Sequence, residues 1–206
     1  MENLKEIILA ELSTIQREGM GRLIDYISNK TDYFTAPASM NGHSNIDGGL
    51  CLHSHFVYEI LKDKCDYWRN KKPEIFIPDN DSLKIIAYFH DFAKCNFYKK
   101  GFKNVKEGKK INNYGKEVDN WIEKEVYEID DKFPLNHGCK SVIMLQNFIK
   151  LKDYEILSIA HHMGIPETYE DKKAFHKALE LQKFIILVHT ADFEASVLLE
   201  EVNKQK

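Results

Sequence analysis

His90 and Asp91 stand side by side in AYFHDFAK, residues 87–94, among Ala87, Tyr88, Phe89, Phe92 and Ala93. Those neighbours ask for burial, and a buried charge is costly without a partner. Other segments offer similar groups. His53 lies in GGLCLHSHF, His137 in FPLNHGCKS, His161 and His162 in LSIAHHMG, and Asp192 in LVHTADFEAS. Most of these segments are otherwise apolar. Each would aim a ligand inward from a different helix, as metal sites inside helical bundles do. Neutral imidazoles suit borderline divalent metals, and a carboxylate has two oxygens with which to bridge two ions. Adjacent residues on a helix diverge by about 100°, so Asp91 would point between two sites and His90 toward one. Ions held there would neutralise the buried carboxylate.

Mostly helical elements must position these groups. Apolar residues at helical spacing predict a first helix over 3–30, followed by a turn-rich loop over 31–49. Helices are expected at about 50–69, 81–95, 137–151, 153–162, 171–180 and 181–202, with Asp79 or Asp81 capping the second of these. Residues 99–133 read differently: lysine, glycine and asparagine dominate the first half, and NWIEKEVYEID alternates loosely. The expected class is all-α, a helical bundle with one small β-hairpin insertion around 105–130. The 206 residues fit one domain, 1–206.

Composition excludes several classes. The chain is 43% hydrophobic and 30% charged, which supplies a core and a polar surface, and its net charge of -3 gives no global drive toward nucleic acid or anionic membrane. Cys51, Cys65, Cys95 and Cys139 are scattered, with no C-x-x-C pair, so free thiols in a reducing cytoplasm are expected. The N-terminus is acidic and amphipathic, unlike a signal peptide, and FIILV is too short to span a bilayer.

The order His…His-Asp…His…His…Asp resembles that of the HD-domain superfamily of metal-dependent phosphohydrolases. FTAPAS (34–39), GGLxxHS (48–54), HDxxK (90–94), FPLxHGxKS (133–141), HMG (162–164) and ADxEA (191–195) extend the likeness over a motif-bearing core of about 30–200. They are similar to a small phage and Firmicute branch, and to the catalytic domain of HD-type 3′–5′ exoribonucleases. The resemblance implies an HD-domain bundle with His53, His90, Asp91 and Asp192 at a first metal. His137 and a later histidine would hold a second, bridged by Asp91. Matching His-x-Gly selects His162 as that later ligand; aligning the HH doublet selects His161. One helix cannot aim both the same way; His162 is preferred, leaving His161 for substrate. One or two divalent ions are implied: Mn, Fe, Co, Ni or Zn, with Mg also admissible.

Lys94 follows His90 by four residues and Asp91 by three, on their face; the resemblance gives it a contact to a substrate phosphate. Eight lysines and one acid lie within 94–116, interleaved with Tyr98, Phe102 and Tyr114. Most of these lysines are expected in a solvated loop; Lys99 and Lys100, nearest the site, would reach substrate. His43 resembles a histidine near the site in the exoribonuclease relatives, which would donate to a phosphate or to the leaving group. His55 reads as a surface residue or one that supports the site from behind, His176 as a surface residue, and His189 as a partner of Asp192 or a core residue.

The expected activity is hydrolysis of a phosphate ester or anhydride, most simply of a nucleotide, through a metal-activated water. Asp91, Lys94 and His43 would carry it. The expected partner is a small anionic phosphorylated substrate rather than extended nucleic acid, since the roughly 30 residues before FTAPAS would leave no room for the oligonucleotide-binding domain of the exoribonuclease relatives; a homodimer could form through the N-terminal amphipathic helix. Two other readings compete: a di-iron oxygenase on the same ligand set, and a nucleotide-binding sensor without turnover.

Overall fold

The computed structural model describes residues 2–40, 42, 44–166 and 168–199. Eight α-helices and one antiparallel two-stranded ribbon follow in the order α1 (Glu2–Ser13), α2 (Met20–Asn29), α3 (Gly49–Lys71), α4 (Asn80–Phe89), β1 (Tyr98–Ile111), β2 (Glu117–Ile129), α5 (His137–Leu145), α6 (Asp153–Ala160), α7 (Tyr169–Leu181) and α8 (Ile185–Glu194). The fold is mostly helical with one small ribbon. No helix of the described residues is long and apolar enough to cross a membrane.

α3 is the axis of the bundle. Leu50, His53, Ser54, Val57, Tyr58, Leu61 and Cys65 are buried at steps of one helical turn. That stripe packs α3 between α4 and α8. α4 is buried at every position from Ser82 to Phe89, because α1, α3 and α6 all pack against it. Helix starts follow side-chain caps. Asp79 accepts from the Ser82 amide at 2.8 Å, Asn136 from the Gly138 amide at 3.1 Å and Thr168 from the Asp171 amide at 3.2 Å, each satisfying donors that the first turn leaves unpaired. The apolar face of α1 is spent internally, with Ile8 and Leu12 in the core. All four cysteines are free thiols.

Several boundaries differ from expectation. The helix expected over 3–30 is broken between Ser13 and Met20. Gly19 turns the chain with φ 87, and a Cβ there would lie 1.8 Å from the Phe148 carbonyl oxygen, so α2 starts where two segments touch. The helix expected over 137–151 ends at Leu145 and gives way to turns. That expected over 181–202 is interrupted between Leu181 and Ile185, and its last three positions lie outside the described residues.

The largest correction concerns the lysine-rich stretch. Most of it is not a loop but strand β1, paired with β2 from Tyr98↔Ile129 to Ile111↔Glu117. Lysines of β1 meet acids of β2: Lys100–Glu125 at 3.0 Å, Lys106–Asp119 at 2.7 Å, Lys109–Glu117 at 2.7 Å and Lys99–Glu128 at 3.8 Å. Opposite charges on facing strands favour pairing, a signal visible only once the two halves are read together.

Candidate metal centre

His90 and Asp91 do not sit within a helix, as expected, but at its end. α4 stops at Phe89, His90 caps it, and Asp91 has φ -102 and ψ 23 before a short 3-10 turn, Phe92–Lys94. The turn is pinned where the Ala93 amide donates to the Ser141 hydroxyl of α5 at 2.9 Å. Leaving the helix frees both side chains to face one space: His90 Nε2 lies 3.5 Å from Asp91 Oδ2. His53 enters from the N-terminal end of α3, His137 from the first residue of α5, His162 from just past the end of α6 and Asp192 from the last turn of α8.

These six groups form two sets around Asp91. His53 Nε2 is 3.1 Å from His90 Nε2 and 3.1 Å from Asp192 Oδ1. Asp91 Oδ2 lies 3.8 Å from His53. On the other side, His137 Nε2 and His162 Nε2 are 3.1 Å apart, and each is 3.5 Å from Asp91 Oδ1. Ligands held about 2.1 Å from one ion lie roughly 3 to 4 Å from each other, so the spacing fits ions held on both sides of Asp91.

The donor chemistry fits as well. His90 Nδ1 donates to the Ala87 carbonyl at 2.8 Å, and His162 Nδ1 to the Ile159 carbonyl at 2.7 Å. Each bond fixes the tautomer and leaves the Nε2 lone pair facing the centre, as in metal-binding histidines. Asp91 Oδ1 is buried and receives no hydrogen bond among the described residues. A buried carboxylate oxygen flanked by two ring nitrogens asks for a cation. His53, His90, Asp91, Asp192, His137 and His162 are thus the residues able to hold metal.

Electrostatics agree. Burial alone would raise the Asp91 carboxyl, but Lys94 and His90 outweigh it and hold it well below its ordinary value. Burial also acts on Asp192, and the hydrogen bond from His53 with the charges of His90 and His162 overcomes it. Burial pushes His137 down to about 4 despite Asp91. His162 moves the other way: burial is overcome by its attraction to Asp91. Two Nε2 atoms 3.1 Å apart cannot both carry protons, and the centre keeps His137 neutral and ready to ligate.

Lys94 Nζ reaches Asp91 Oδ2 at 2.7 Å and lines both cavities beside the centre. One, about 190 Å³, opens over Asp91, His137 and Asp192 and is walled by Met163, His189 and Phe193. The other, about 340 Å³, lies between Phe97, Tyr98, Leu135, Asn136 and Lys140. A larger apolar cleft of about 520 Å³, near Trp68, Leu179 and Leu187, includes none of the six clustered residues.

Other expected residues are placed elsewhere. His161 caps α6 and packs its ring against Phe175 at 5.8 Å, away from the cluster that His162 joins. Lys99 and Lys100 are exposed on the ribbon, paired with Glu128 and Glu125, and line neither cavity. His43 lies outside the described residues. His55 is half-buried, with Nδ1 3.1 Å from the Tyr88 hydroxyl.

His189, expected as a partner of Asp192 or a core residue, donates Nδ1–H to the His162 carbonyl at 2.9 Å, bracing the turn that carries His162. Sequence reasoning passed over Gly138. A Cβ on Gly138 would lie 2.7 Å from the Ile159 and Ala160 carbonyl oxygens, so only glycine lets α5 lie flush on the end of α6 and bring His137 to His162. Its place directly after His137 was the available signal. No protein-family model, curated protein or solved structure matches this chain.

Proposed function

We propose that the protein is a metal-dependent phosphohydrolase of the HD-domain type, cleaving a phosphate ester or anhydride of a small nucleotide. The observation that carries this reading is Asp91, a buried carboxylate with one orphaned oxygen between two histidine pairs. His53, His90, Asp91 and Asp192 would hold one ion, and Asp91, His137 and His162 another. Bound there, divalent ions would supply an acidified water as nucleophile and positive charge for the phosphoryl oxygens.

The chain's own groups have separable tasks. Lys94 borders both cavities and offers an ammonium to a phosphoryl group held between them. Phe97, Tyr98 and Leu135 give the larger cavity an apolar wall suited to the organic part of the substrate. Water adds to phosphorus and the bond to the leaving oxygen breaks. Four of the six β1 lysines pair with acids of β2, so the anion is drawn more by the centre than by a basic surface; this favours a small substrate over extended nucleic acid.

The test is a hydrolysis screen with Mn²⁺, Co²⁺, Ni²⁺ or Mg²⁺ added separately, against nucleoside mono- and triphosphates, cyclic dinucleotides and a short RNA, with Asp91→Ala as control. Turnover of one class, lost in the control, is the expected result. No turnover by protein that retains metal would overturn the reading in favour of iron-dependent oxygen chemistry or of sensing.

A further inference from the structure

The root of the ribbon builds one wall of the larger cavity beside the centre. The chain enters β1 through Phe97 and leaves β2 through Asp130 and Asp131. The Asp130 amide ties these two crossings together by donating to the Phe97 carbonyl at 2.8 Å. Lys140, on α5, reaches both. Its Nζ lies 5.1 Å from the centre of the Phe97 ring and donates to Asp131 Oδ1 at 2.5 Å. The same Oδ1 accepts from the Phe133 amide at 2.9 Å. Phe97, Asp131 and Lys140 all line the cavity of about 340 Å³, which meets the centre at Lys94 and His137.

This pair leaves hydrogen-bonding capacity unused. The Lys140 side chain is 9% exposed and that of Asp131 21%. Both donors to Asp131 go to Oδ1, so Oδ2 has no hydrogen-bond partner among the described residues. An ammonium carries three donors, and Lys140 spends one of them on Asp131. The wall therefore offers an acceptor and a donor side by side, with the carboxylate held in place from behind.

That arrangement selects its ligand. A second phosphate would meet an anionic oxygen. The paired N–H donors on the edge of a guanine call for both carboxylate oxygens, and Oδ1 is taken. A hydroxyl fits, because it donates to a carboxylate oxygen and accepts from an ammonium at once. Carboxylates hold the ribose of dinucleotides by the same chemistry. Phe97 and Tyr98, with ring centroids 4.9 Å apart and planes nearly perpendicular, add apolar surface on which any base can lie.

We propose that this cavity is a nucleoside subsite that reads the sugar rather than the base: Asp131 Oδ2 accepts a hydrogen bond from a ribose hydroxyl, and Lys140 holds the carboxylate for it. The proposal rests on the hydrolase reading for the phosphoryl group at Lys94, and narrows the substrate to a nucleotide with a free sugar hydroxyl and little base preference. Asp131→Asn isolates the contact. Lys140 and the Phe133 amide are both donors, so they keep the asparagine oxygen in the Oδ1 position and put an amide nitrogen where Oδ2 stood.

The test is saturation-transfer NMR of the full chain in Mg²⁺ with nucleosides up to about 10 mM, a range that reaches millimolar affinity. The four ribonucleosides are compared with their 2′-deoxy, 3′-deoxy and 2′,3′-dideoxy forms. The expected result is binding of all four ribonucleosides within about threefold of one another. Loss of both hydroxyls should weaken it by about tenfold or more, the usual worth of a hydrogen bond to a charged group, and the single deletions name the hydroxyl that carries the effect. In Asp131→Asn the discrimination should fall below about twofold, with Mg²⁺ binding unchanged. Nucleosides carry no phosphate to hydrolyse, so a protein without turnover can still pass this test and a hydrolase can still fail it. Equal binding of the ribo and dideoxy forms, discrimination that survives in Asp131→Asn, or no ribonucleoside bound at 10 mM overturns the proposal.

Discussion

Replacing Lys94 by Met should unmask how the centre is neutralised. The Lys94 ammonium sits 2.7 Å from Asp91 Oδ2. Methionine keeps the apolar stem and removes the cation nearest to Asp91. Removing one partner of a buried pair typically costs about 3–5 kcal/mol. Lys94 retains some exposure at 18%, which places the loss near the lower end, about 3 kcal/mol. Asp91 has an escape, since it can take up a proton. For a carboxyl with an ordinary value of 3.8, that costs about 4 kcal/mol at pH 7, so protonation caps the loss without removing it. In a chain of 206 residues, 1 kcal/mol shifts the melting temperature by about 2–4 °C. The variant should therefore melt about 6–12 °C below wild type in EDTA. Saturating Mn²⁺ should close most of that gap, because ions at Asp91 replace the lost counter-charge. Thermal melts of both proteins, with EDTA and with Mn²⁺, read the difference directly. Equal metal increments in the two proteins, or a variant as stable as wild type in EDTA, would refute the reasoning.

The two neighbouring histidines should separate cleanly: His162→Ala is expected to weaken metal binding by more than about 100-fold, beyond the loss usual for outer partners, while His161→Ala leaves it unchanged by calorimetry. Gly138→Ala should push α5 off the end of α6, destabilising by about 1–3 kcal/mol and lowering metal stoichiometry on the His137 side, read by elemental analysis. Asp79→Ala should cost about 1 kcal/mol of helix capping in urea melts near pH 7. Although burial opposes it, Lys152 and Ser82 depress the Asp79 carboxyl from 3.8 to about 2. Its stabilisation is thus complete above about pH 4 and lost as pH falls through about 2, and the gap between wild type and variant should close over that window.

The site was legible because its chemistry is local. A His-Asp pair inside an apolar run, and further histidines on other apolar segments, mark groups that must be buried and must be neutralised. What sequence periodicity missed is where the helices end. The apolar run through Phe92 and Ala93 continues past Phe89 because those residues are buried in a turn, not in a helix. Periodicity records burial and is silent on the φ and ψ that aim a side chain. The doublet His161–His162 shows the same limit: both follow an apolar helix, and only the Nδ1 bond of His162 to Ile159 shows which one turns inward. The ribbon was legible as a hairpin around 105–130, but its start at Tyr98 and the role of its lysines were not. Its lysines looked like a solvated patch because their partners stand 8 to 29 residues away, on the facing strand.

That pairing shifts the burden of anion binding onto the centre itself. Asp91 and Asp192 are held ionised, Lys94 is held charged because Asp91 outweighs the effect of burial, and His137 is held neutral. Two carboxylates face one ammonium and His162, whose protonated form Asp91 favours, so the metal-free pocket carries no net positive charge. A phosphate dianion gains no net attraction there; one divalent ion makes the site positive and a second strengthens it. Metal and phosphate should therefore bind with strong positive coupling, and coupling of that kind is reciprocal. Inorganic phosphate at 10 mM should leave the melting temperature unchanged in EDTA and raise it when Mn²⁺ is present, and it should tighten Mn²⁺ binding by the same factor. Phosphate that stabilised the metal-free protein equally well would mean that some cation outside this centre does the binding. The charge argument, and with it the assignment of the cavity over Asp91 to a phosphoryl group, would then fail.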